Sequence, residues 1–455
     1  MEAENGVEFL CNKTLLVTGA TGFLAKGDDL SLIYIIAKEL FQVLREVHGA
    51  KFDSFISKKV APIDGDTSLI NLGLNDDNEI YKEIDVIIHS AAVTKFQERY
   101  NLSLEINTLG AKNVLQYAKT CPKLQILLHV STAYVCRQKA GLIPETLCKT
   151  LSDIVGLNIE VEKKLVDNKL NDLARKGAST KKIRDTMKSL GQKRANMYGW
   201  VNTYAFTKAM GEMLIWEHKE DLPIVIVRPT MIGSTYKEPF PCWIESVGSI
   251  SMLSIVYGKG LTHFTHADSN AIIDMIPVDM VVNSIIMGMV ANANKPCLTI
   301  YHVGSSMRNP LALHKLVENN YRYFNNNPWI DAQGMPVNIK KALLVKGRLH
   351  FSMLLVRDIL KLMVLKIVDG ASCHKFNVNQ EKLEFQIKVS ATMAMVFRHY
   401  LFFVGIFDDE NTEKLRRAMS KEGMDGKVLN FDPNCINWDD YLLNNHIPAT
   451  VKYLF

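Results

Sequence analysis

Short apolar runs rich in β-branched residues recur along residues 1–308, and longer runs with helical spacing lie between them. Five of these runs predict strands, at residues 14–17, 85–89, 124–130, 224–228 and 298–302. The clearest helical periods cover residues 104–121 and 204–219. This alternation predicts an α/β fold, a Rossmann-like doubly wound parallel sheet with helices on both faces.

Two segments depart from the alternating pattern. Residues 151–193 are strongly charged and prone to form helices. We interpret them as an insertion, either a solvated helical hairpin with no direct role or a lid over a substrate channel. From about residue 309 onward the strand pattern gives way to helical, basic and apolar sequence. We therefore predict a first domain at residues 1–308 and a mainly helical second domain at residues 309–455.

Composition and charge exclude several classes of protein. The net charge of +5 is small for 455 residues and the basic residues are scattered, so we expect no nucleic-acid partner. The eight cysteines contain no CxxC pair, so we expect neither a metal site nor a disulfide framework. The N-terminus has the pattern of neither a signal peptide nor a transit peptide, which favours an intracellular location.

Two apolar stretches, residues 353–368 and 389–407, are interrupted by Arg, Asp, Lys and His. No run reaches the roughly 18 uncharged apolar residues that a membrane-spanning helix needs. Each stretch is interpreted either as a buried core helix or as a surface that contacts a membrane. Peripheral membrane association is therefore one of two expectations.

A glycine-rich turn follows the first predicted strand, in residues 13–26, KTLLVTGATGFLAK. Glycines at this place let the backbone approach a pyrophosphate, which then lies at the N-terminus of the next helix. The last position of the usual glycine triplet is Ala25, which the fingerprint tolerates. A purely structural turn is the alternative. The residues predicted to bind a dinucleotide here are Gly19, Ala20, Thr21, Gly22, Phe23 and Leu24.

Three further elements follow in the order that a dinucleotide site requires. Asp66 comes after the apolar residues 60–63, where an acidic side chain at a strand end can hold the adenine amino group. Ala91 and Ala92 follow the second strand and are small enough for a cofactor to lie flat against the chain. Asn107 lies on the next helix. Each is more often structural when it occurs alone, and their order favours the cofactor interpretation.

Tyr204 and Lys208 form the second chemical motif. Their i, i+4 spacing places the phenol and the ammonium on one face of a helix. An isolated tyrosine titrates near pH 10, so it needs a nearby cation to exchange protons near neutrality. We predict that Tyr204 is the catalytic acid, and that Lys208 assists it and binds the nicotinamide ribose.

Ser131 and Thr132 end the third predicted strand, in the sequence VSTAY of residues 130–134. Ligand-binding groups of open α/β sheets gather at this end of the strands. A hydroxyl here can hydrogen-bond a substrate carbonyl and polarise it. Thr132 is the preferred candidate and Ser131 the alternative, and a helix cap is the structural explanation.

Taken in order, residues 18–26 (TGATGFLAK), 130–135 (VSTAYV), 204–208 (YAFTK) and 227–230 (VRPT) resemble an alcohol-forming fatty acyl-CoA reductase of the plant type. Narrower stretches support this resemblance, at residues 89–92 (HSAA), 238–241 (EPFP), 301–306 (YHVGSS) and 407–409 (FDD). The resemblance covers nearly the whole chain.

The resemblance implies an NADP(H)-binding reductase domain followed by a C-terminal fatty acyl-CoA reductase domain of the male-sterility type. It implies reduction of a long-chain acyl-CoA by two NADPH to a primary alcohol, with release of CoA, in wax or suberin synthesis. Pro229 and Thr230 are then expected to line the cofactor. Attachment to the endoplasmic reticulum and participation of the helical domain in holding the acyl chain are further expectations.

Two departures from the family pattern bear on this expectation. The family continues after the glycine-rich turn into a second strand that ends in an Arg for the NADP 2′-phosphate. Here residues 27–30 (GDDL) lead almost directly to the pattern of residues 38–45, so about thirty residues of this βαβ unit are absent. Residues 30–36 could form a substitute strand or the start of a helix. The second departure is Cys242, where the family usually has Gly.

Three hypotheses follow from the sequence. The first is an active acyl-CoA reductase. The second is a catalytically impaired relative that acts as a lipid-binding or partner-binding module, because its nucleotide site is shortened. The third is a different extended reductase that acts on a sterol or a nucleotide sugar, against which the C-terminal domain argues.

Overall fold

The computed structural model describes residues 6–20, 35–75, 79–137, 140–147, 154–371, 377–421 and 429–455. Its strands are β1 (Leu15–Thr18), β2 (Val86–His89), β3 (Ile126–Val130), β4 (Gly141–Ile143), β5 (Ile224–Pro229), β6 (Met231–Gly233), β7 (Phe264–His266), β8 (Ile272–Ile273), β9 (Met275–Pro277), β10 (Leu298–Val303), β11 (Leu311–Ala312), β12 (Leu343–Val345) and β13 (Gly405–Phe407).

A parallel sheet of five strands, in the order β1-β2-β3-β5-β10, forms the centre of the molecule. The five predicted strands are these five, so the α/β prediction is confirmed. Every residue of β5 is buried, and β3 is buried except for its last position. Both faces of the sheet are therefore covered, as the continuous apolar sequence of these strands requires.

The α-helices are α1 (Gly6–Leu10), α2 (Gln42–His48), α3 (Phe52–Lys59), α4 (Tyr100–Ser103), α5 (Gly110–Thr120), α6 (Ile159–Arg175), α7 (Thr180–Met197), α8 (Thr203–His218), α9 (Ser249–Gly258), α10 (Val278–Asn292), α11 (Leu313–Asn326), α12 (Arg348–Ala371), α13 (Asn377–Val396), α14 (Arg398–Leu401), α15 (Glu410–Lys421), α16 (Trp438–Asp440) and α17 (Ile447–Leu454). The π-helical turn Leu104–Leu109 joins α4 to α5, and a second one, Tyr441–His446, joins α16 to α17. No helix within the described ranges has the length and apolarity to cross a bilayer.

The predicted insertion forms the two helices α6 and α7. Both begin with a side-chain cap, since Asn158 accepts a hydrogen bond from the N–H of Val161 and Ser179 accepts one from that of Lys182. Apolar residues of these helices pack in one core cluster with α8. The insertion therefore covers the outer face of α8, and its action as a lid stays a prediction.

Short strand pairs join the C-terminal part of the chain to earlier parts. Strand β13 pairs in parallel with β4, and β12 pairs in parallel with β7. One apolar cluster contains side chains from β3 and β5 together with others from residues 393–447. Packing across residue 308 is continuous in this cluster. The predicted division into two domains at that position stays a prediction.

One local expectation is wrong. Residues 60–66 form no strand and their side chains are exposed, so Asp66 does not end a strand. In the classic doubly wound order two further strands lie outside the first one. In the described part of this chain β1 is the edge of the sheet. In the described part of the chain no strand lies beyond β1 to give residues 60–63 a hydrogen-bonding partner, which explains why they stay outside the sheet.

Candidate active site

Asn202 fixes the start of α8, the helix that carries the Tyr204 and Lys208 motif. Its side-chain oxygen accepts a hydrogen bond of 2.8 Å from the N–H of Ala205, which is the usual geometry of an N-cap. Tyr204 thus lies in the first turn and Lys208 one turn later on the same face. The predicted i, i+4 arrangement is present, although the catalytic roles of the pair stay predictions.

Tyr204 lies against the end of β3. Burial raises the pKa of its hydroxyl to about 12, and the neighbouring hydroxyl of Thr132 acts in the opposite direction. The sequence led us to expect a pKa lowered by Lys208. The structure differs because the Lys208 ammonium is turned toward β3. A phenol with this pKa is fully protonated at neutral pH, as a proton donor must be.

Lys208 is buried and its ammonium has two neighbours on β3. The Nζ atom donates a hydrogen bond of 2.7 Å to the carbonyl oxygen of Val130 and lies 3.3 Å from Nε2 of His129. Burial lowers the pKa of Lys208 to about 8, and the negative charge of Glu212 one turn further along α8 acts against that shift. The ammonium form is therefore lost within an accessible range of pH.

The structure distinguishes the two hydroxyls at the end of β3. The Thr132 hydroxyl lies beside that of Tyr204, and its Oγ1 accepts a 3.3 Å hydrogen bond from the N–H of Tyr134, so it caps the short helical turn that follows. The Ser131 hydroxyl is buried and has no hydrogen-bond partner among the described residues. Thr132 is thus the hydroxyl beside the phenol, as preferred from the sequence, and the cap interpretation is correct as well.

The glycine-rich turn is described only at its start, because Thr21, Gly22, Phe23 and Leu24 lie outside the described residues. Gly19 has a φ of +75°, and a Cβ atom on it would come within 2.6 Å of the backbone nitrogen of Ala91. Only glycine fits both the backbone conformation and the close approach. The turn after β1 therefore packs directly against the backbone that follows β2. Ala20 comes next in the chain and is exposed to solvent.

Asn107 lies in the π-helical turn, and its amide is fully engaged. It exchanges hydrogen bonds of 2.8 and 3.0 Å with the N–H and C=O of Val93 and donates another of 3.0 Å to the hydroxyl of Thr207. This side chain ties the segment after β2 to α8. Its direct contact with a cofactor stays a prediction, as does that of the half-buried Ala92.

Asp66 lies in an exposed turn, where its carboxylate accepts a 2.8 Å hydrogen bond from the N–H of Ser68. It retains a free acceptor oxygen, so a role toward the adenine stays a prediction. Pro229 and Thr230 are buried at the end of β5, and the carbonyl oxygen of Pro229 lies 3.5 Å from Oγ1 of Thr132. These two residues therefore border the catalytic hydroxyls from the next strand.

A buried ion pair supports the strand beside β3. The Arg228 guanidinium donates hydrogen bonds of 3.0 and 2.5 Å to the two carboxylate oxygens of Glu212, and a further one of 2.9 Å to the carbonyl of Thr146. Both side chains of the pair are almost fully buried. This bidentate contact joins β5 to α8, the strand and helix between which the catalytic residues lie.

Aromatic side chains from the C-terminal part of the chain form a wall beside Tyr204. The ring of Phe96 lies 6.4 Å from that of Tyr204, 5.1 Å from that of Tyr400 and 6.4 Å from that of Phe397. Asn202 donates a 3.0 Å hydrogen bond to the Tyr400 hydroxyl, so the cap of α8 is also fastened to the C-terminal region.

Sequence reasoning missed these aromatic residues, together with Asn202 and His129. An N-cap signal was present at Asn202, which directly precedes the helical period. Nothing local indicates His129, since a histidine within an apolar strand is usually only buried. The aromatic wall joins residues 96 and 397–400, and no local pattern relates positions so far apart in the chain.

The chain matches two family models, both described as male sterility protein. The first is a model of an NAD-binding domain and matches residues 34–285, and the second matches residues 357–455. The first match begins after the glycine-rich turn of residues 18–26. This start is consistent with a shortened segment at that place.

Curated relatives match over nearly the whole chain. The chain is 43% identical to an alcohol-forming fatty acyl-CoA reductase of Simmondsia chinensis, over 98% of both proteins. It is 40% identical to fatty acyl-CoA reductase 1 of Arabidopsis thaliana, over 99% of both. The first alignment runs over 484 positions although this chain has 455 residues, so that relative contains residues with no counterpart here.

Among solved structures, the reductase domain of a non-ribosomal peptide synthetase from Mycobacterium tuberculosis superimposes with a TM-score of 0.55 at 16% identity, covering 97% of this chain and 91% of that one. The terminal reductase domain of the myxalamid pathway gives a TM-score of 0.51 at 16% identity, covering 97% and 90%. At this level of identity the likeness shows a shared fold.

Proposed function

Because the chain belongs to the plant alcohol-forming fatty acyl-CoA reductases, a family of NAD(P)-binding oxidoreductases, we propose that it reduces a long-chain fatty acyl-CoA to the primary alcohol and releases CoA. We propose NADPH as the electron donor. The observation that carries the proposal is the proximity of the Tyr204 and Thr132 hydroxyls, with Lys208 one turn further along the helix.

The two hydroxyls can act on a carbonyl oxygen. The hydroxyls of Tyr204 and Thr132 both lie at the carboxyl end of β3, where a substrate carbonyl oxygen would accept one hydrogen bond from each. Polarisation by both donors makes the carbonyl carbon more electrophilic. Tyr204 then gives its proton to the oxygen that becomes the alcohol, and the transfer is favourable because the alkoxide that develops there is more basic than the phenolate, even with the phenol pKa raised to about 12.

The described residues fit a nicotinamide dinucleotide. Gly19 leaves room where a Cβ would meet the backbone of Ala91, as a turn that receives a pyrophosphate requires. The orphaned hydroxyl of Ser131 and the Lys208 ammonium lie at the neighbouring strand ends, as donors for ribose or substrate oxygens. When bound, the cofactor supplies the hydride. The proposed contacts are Gly19, Ala20, Thr21, Gly22, Phe23, Leu24, Asp66, Ala91, Ala92, Asn107, Lys208, Pro229 and Thr230.

The direct test is product identification. The purified full chain is incubated with acyl-CoAs of graded length and either NADPH or NADH, and lipids and free thiol are measured. We expect fatty alcohol and one CoA thiol for every two NADPH consumed, with slower turnover on NADH. Failure of every chain length with both cofactors contradicts the proposal. A primary alcohol of long chain would suit wax or suberin synthesis, which the preferred chain length would indicate.

A second candidate function is favoured by the shape of the sheet edge. In the described chain β1 has a neighbour on one side only, and Val17 within it is 43% exposed. If the shortened segment cannot hold the adenosine half, the chain would bind lipid without reducing it. Calorimetry with NADPH separates the two functions, since the reductase requires saturable binding and the binding module predicts none.

The outer face of α12 supports a proposal about membrane association. Its apolar side chains at spacings of three and four residues are exposed, while Phe351, Leu354 and Leu355 on the opposite face pack against β7 and β12. The exposed residues are Leu349, Met353, Val356, Leu360, Met363, Val364 and Ile367. Leu349, Met353, Val356, Leu360 and Val364 line a groove of about 890 Å³ together with Leu383 of α13. A soluble protein rarely exposes such a continuous stripe without a partner.

The charges on α12 indicate the kind of partner. Its exposed charged residues are all basic, namely Arg348, Arg357, Lys361 and Lys366, whereas its two acidic residues, Asp358 and Asp369, are each only 3% exposed. An apolar stripe bordered by cations suits an anionic bilayer surface. We propose that α12 lies in the headgroup region of an intracellular membrane, with the endoplasmic reticulum as the expected one, and brings the site close to its lipid substrate.

Vesicle sedimentation tests this surface. The triple variant Met353→Asp, Leu360→Asp, Val364→Asp should lose binding to vesicles of phosphatidylcholine with phosphatidylserine. The control Val155→Asp, Val161→Asp, Met197→Asp changes apolar side chains of the insertion region that are at least as open to solvent, and should bind like the wild type. Equal loss in both variants, or retention by the α12 variant, would overturn the membrane surface. Dimer formation through this face would appear instead as a change in sedimentation coefficient without lipid.

A further inference from the structure

Two buried histidines lie behind the catalytic lysine, on the middle strands of the sheet. His129 on β3 lies 3.3 Å from the Lys208 Nζ through its Nε2, and the ring of His89 on β2 lies 5.0 Å from that of His129. Both side chains are essentially inaccessible to solvent. On the other side, Nδ1 of His89 lies 2.8 Å from the Thr18 hydroxyl at the end of β1.

The neighbours of these rings constrain where the protons lie. An ammonium can only donate, so Nε2 of His129 must accept and the proton of that ring is on Nδ1. Burial and the positive charge of Lys208 hold the pKa of His129 well below its usual value and lower the pKa of His89 to about 3. Both rings are therefore neutral.

Two ring nitrogens have no hydrogen-bond partner among the described residues, and they are Nδ1 of His129 and Nε2 of His89. If Nδ1 of His89 donates to the Thr18 hydroxyl, its Nε2 is an acceptor, complementary to the N–H of His129. The Thr18 hydroxyl also accepts a 3.3 Å hydrogen bond from the N–H of Ala91. The two rings therefore pack against each other with no hydrogen bond between them among the described residues, and the Thr18 hydroxyl contacts the second ring at the end of β1.

We propose that His129 is a positioning residue for Lys208, and that the ring of His89, which contacts Thr18, packs behind it. The inference rests on the proposed function, because Lys208 is given its role there. By accepting one ammonium proton, with Val130 accepting a second, His129 leaves the third available for a ribose or substrate oxygen. It also stabilises the charged form of a lysine whose burial favours the neutral form.

The charged and titratable groups that face Lys208 are few. Glu212 and Tyr204 lie on its own helix, His129 lies on β3, and His89 lies behind on β2. The negative charge of Glu212 is paired with the positive charge of Arg228. Removing the His129 acceptor therefore lowers the pKa of Lys208 further. If reduction requires the ammonium, activity is present below that pKa and is lost as the pH rises through it.

The first experiment compares His129→Leu with His129→Gln, whose side-chain oxygen can take the place of Nε2. We expect His129→Leu to lower kcat/KM at pH 7 roughly tenfold to a hundredfold, as loss of a hydrogen bond to a charged group does, and to move the alkaline limb down by about one pH unit. His129→Gln should restore the position of that limb. His446→Leu, the same change at a buried histidine of the C-terminal region, should leave the limb in place.

The second experiment needs no activity. Long-range ¹⁵N correlation spectra of histidine-labelled wild-type protein should show His129 and His89 as neutral Nδ1–H tautomers at pH 6. An Nε2–H tautomer at His129, or a charged ring, overturns the inference. The inference is also overturned if the wild type is active and His129→Leu has the same pH profile as the wild type. Absence of any turnover by the wild type instead contradicts the proposed function and leaves the spectra as the test.

Discussion

Two regions at the carboxyl ends of the strands differ sharply in how many neighbouring elements support them. The region around Tyr204 and Lys208 lies between β3, β5 and α8, where strands have partners on both sides and a buried ion pair locks the helix to the sheet. The region around Gly19 lies at the end of β1, which has a single neighbouring strand in the described chain. The first region carries the proposed proton chemistry and the second would hold the adenosine half.

The difference shows that a deletion in a parallel sheet acts locally. Parallel strands are joined through separate crossover units, so loss of one unit at the edge removes its strand without disturbing the register of the others. Here the pairing of β1 with β2, and of β2 with β3, stays in register. The region of the proposed proton chemistry is therefore complete, whereas the nucleotide region is shortened. Substitutions can perturb each region separately.

Removal of the Tyr204 hydroxyl should have the largest effect, confined to the catalytic region. Tyr204→Phe should lower kcat by about 10² to 10⁴, the usual contribution of a general acid, while the Kd for NADPH changes less than twofold. Tyr117→Phe is the matched control, since its buried hydroxyl has no partner among the described residues. Steady-state kinetics and calorimetry measure the two quantities. Residual turnover above a tenth of wild type would remove Tyr204 from the mechanism.

The buried ion pair tests how firmly the catalytic region is held. Arg228→Met leaves the Glu212 carboxylate buried without its partner and should lower the free energy of unfolding by about 3 to 5 kcal/mol. Lys119→Met breaks an ion pair in which Glu220 is largely exposed, and should cost about 1 kcal/mol or less. Urea denaturation followed by fluorescence compares the two variants. Equal losses would mean that the pair does not lock α8 to β5.

A methyl group at Gly19 tests the nucleotide region. Gly19→Ala places a Cβ within 2.6 Å of the Ala91 backbone at a φ of +75°, and should weaken NADPH binding about tenfold to a hundredfold. Gly177→Ala has a similar φ of +61° with open space around it, so it reproduces the backbone strain without the collision. Calorimetry on both variants isolates the contact. Unchanged affinity in Gly19→Ala would show that this turn does not bind the cofactor.

Asp66 should give the smallest effect. Asp66→Asn keeps the oxygen that accepts from Ser68 but removes the negative charge, and we expect NADPH binding weaker by about threefold to tenfold. Asp64→Asn is the control in the same exposed segment. A loss of affinity common to both variants would indicate a general electrostatic effect, and no loss in either would exclude Asp66 from the adenine site.

Much of the fold could be predicted because its signals are local. The five central strands were visible as apolar runs, and α8 was visible by its period, within one residue of its observed bounds. Residues 60–66 were misjudged because their apolar content suits a strand, whereas forming one requires a partner that the shortened chain does not supply. The glycine preference at Cys242 also has a visible cause, since its φ is +66°.

The sequence by itself determined the order of the motifs, the placement of Tyr204 and Lys208 on one helical face, and the family to which the chain belongs. These depend on spacing and residue type, which the chain carries locally. Only the tertiary structure decided that Lys208 turns toward His129, that the Thr132 hydroxyl lies beside Tyr204, and that Phe397 and Tyr400 reach the site. Those contacts join residues distant along the chain, and only packing brings them together.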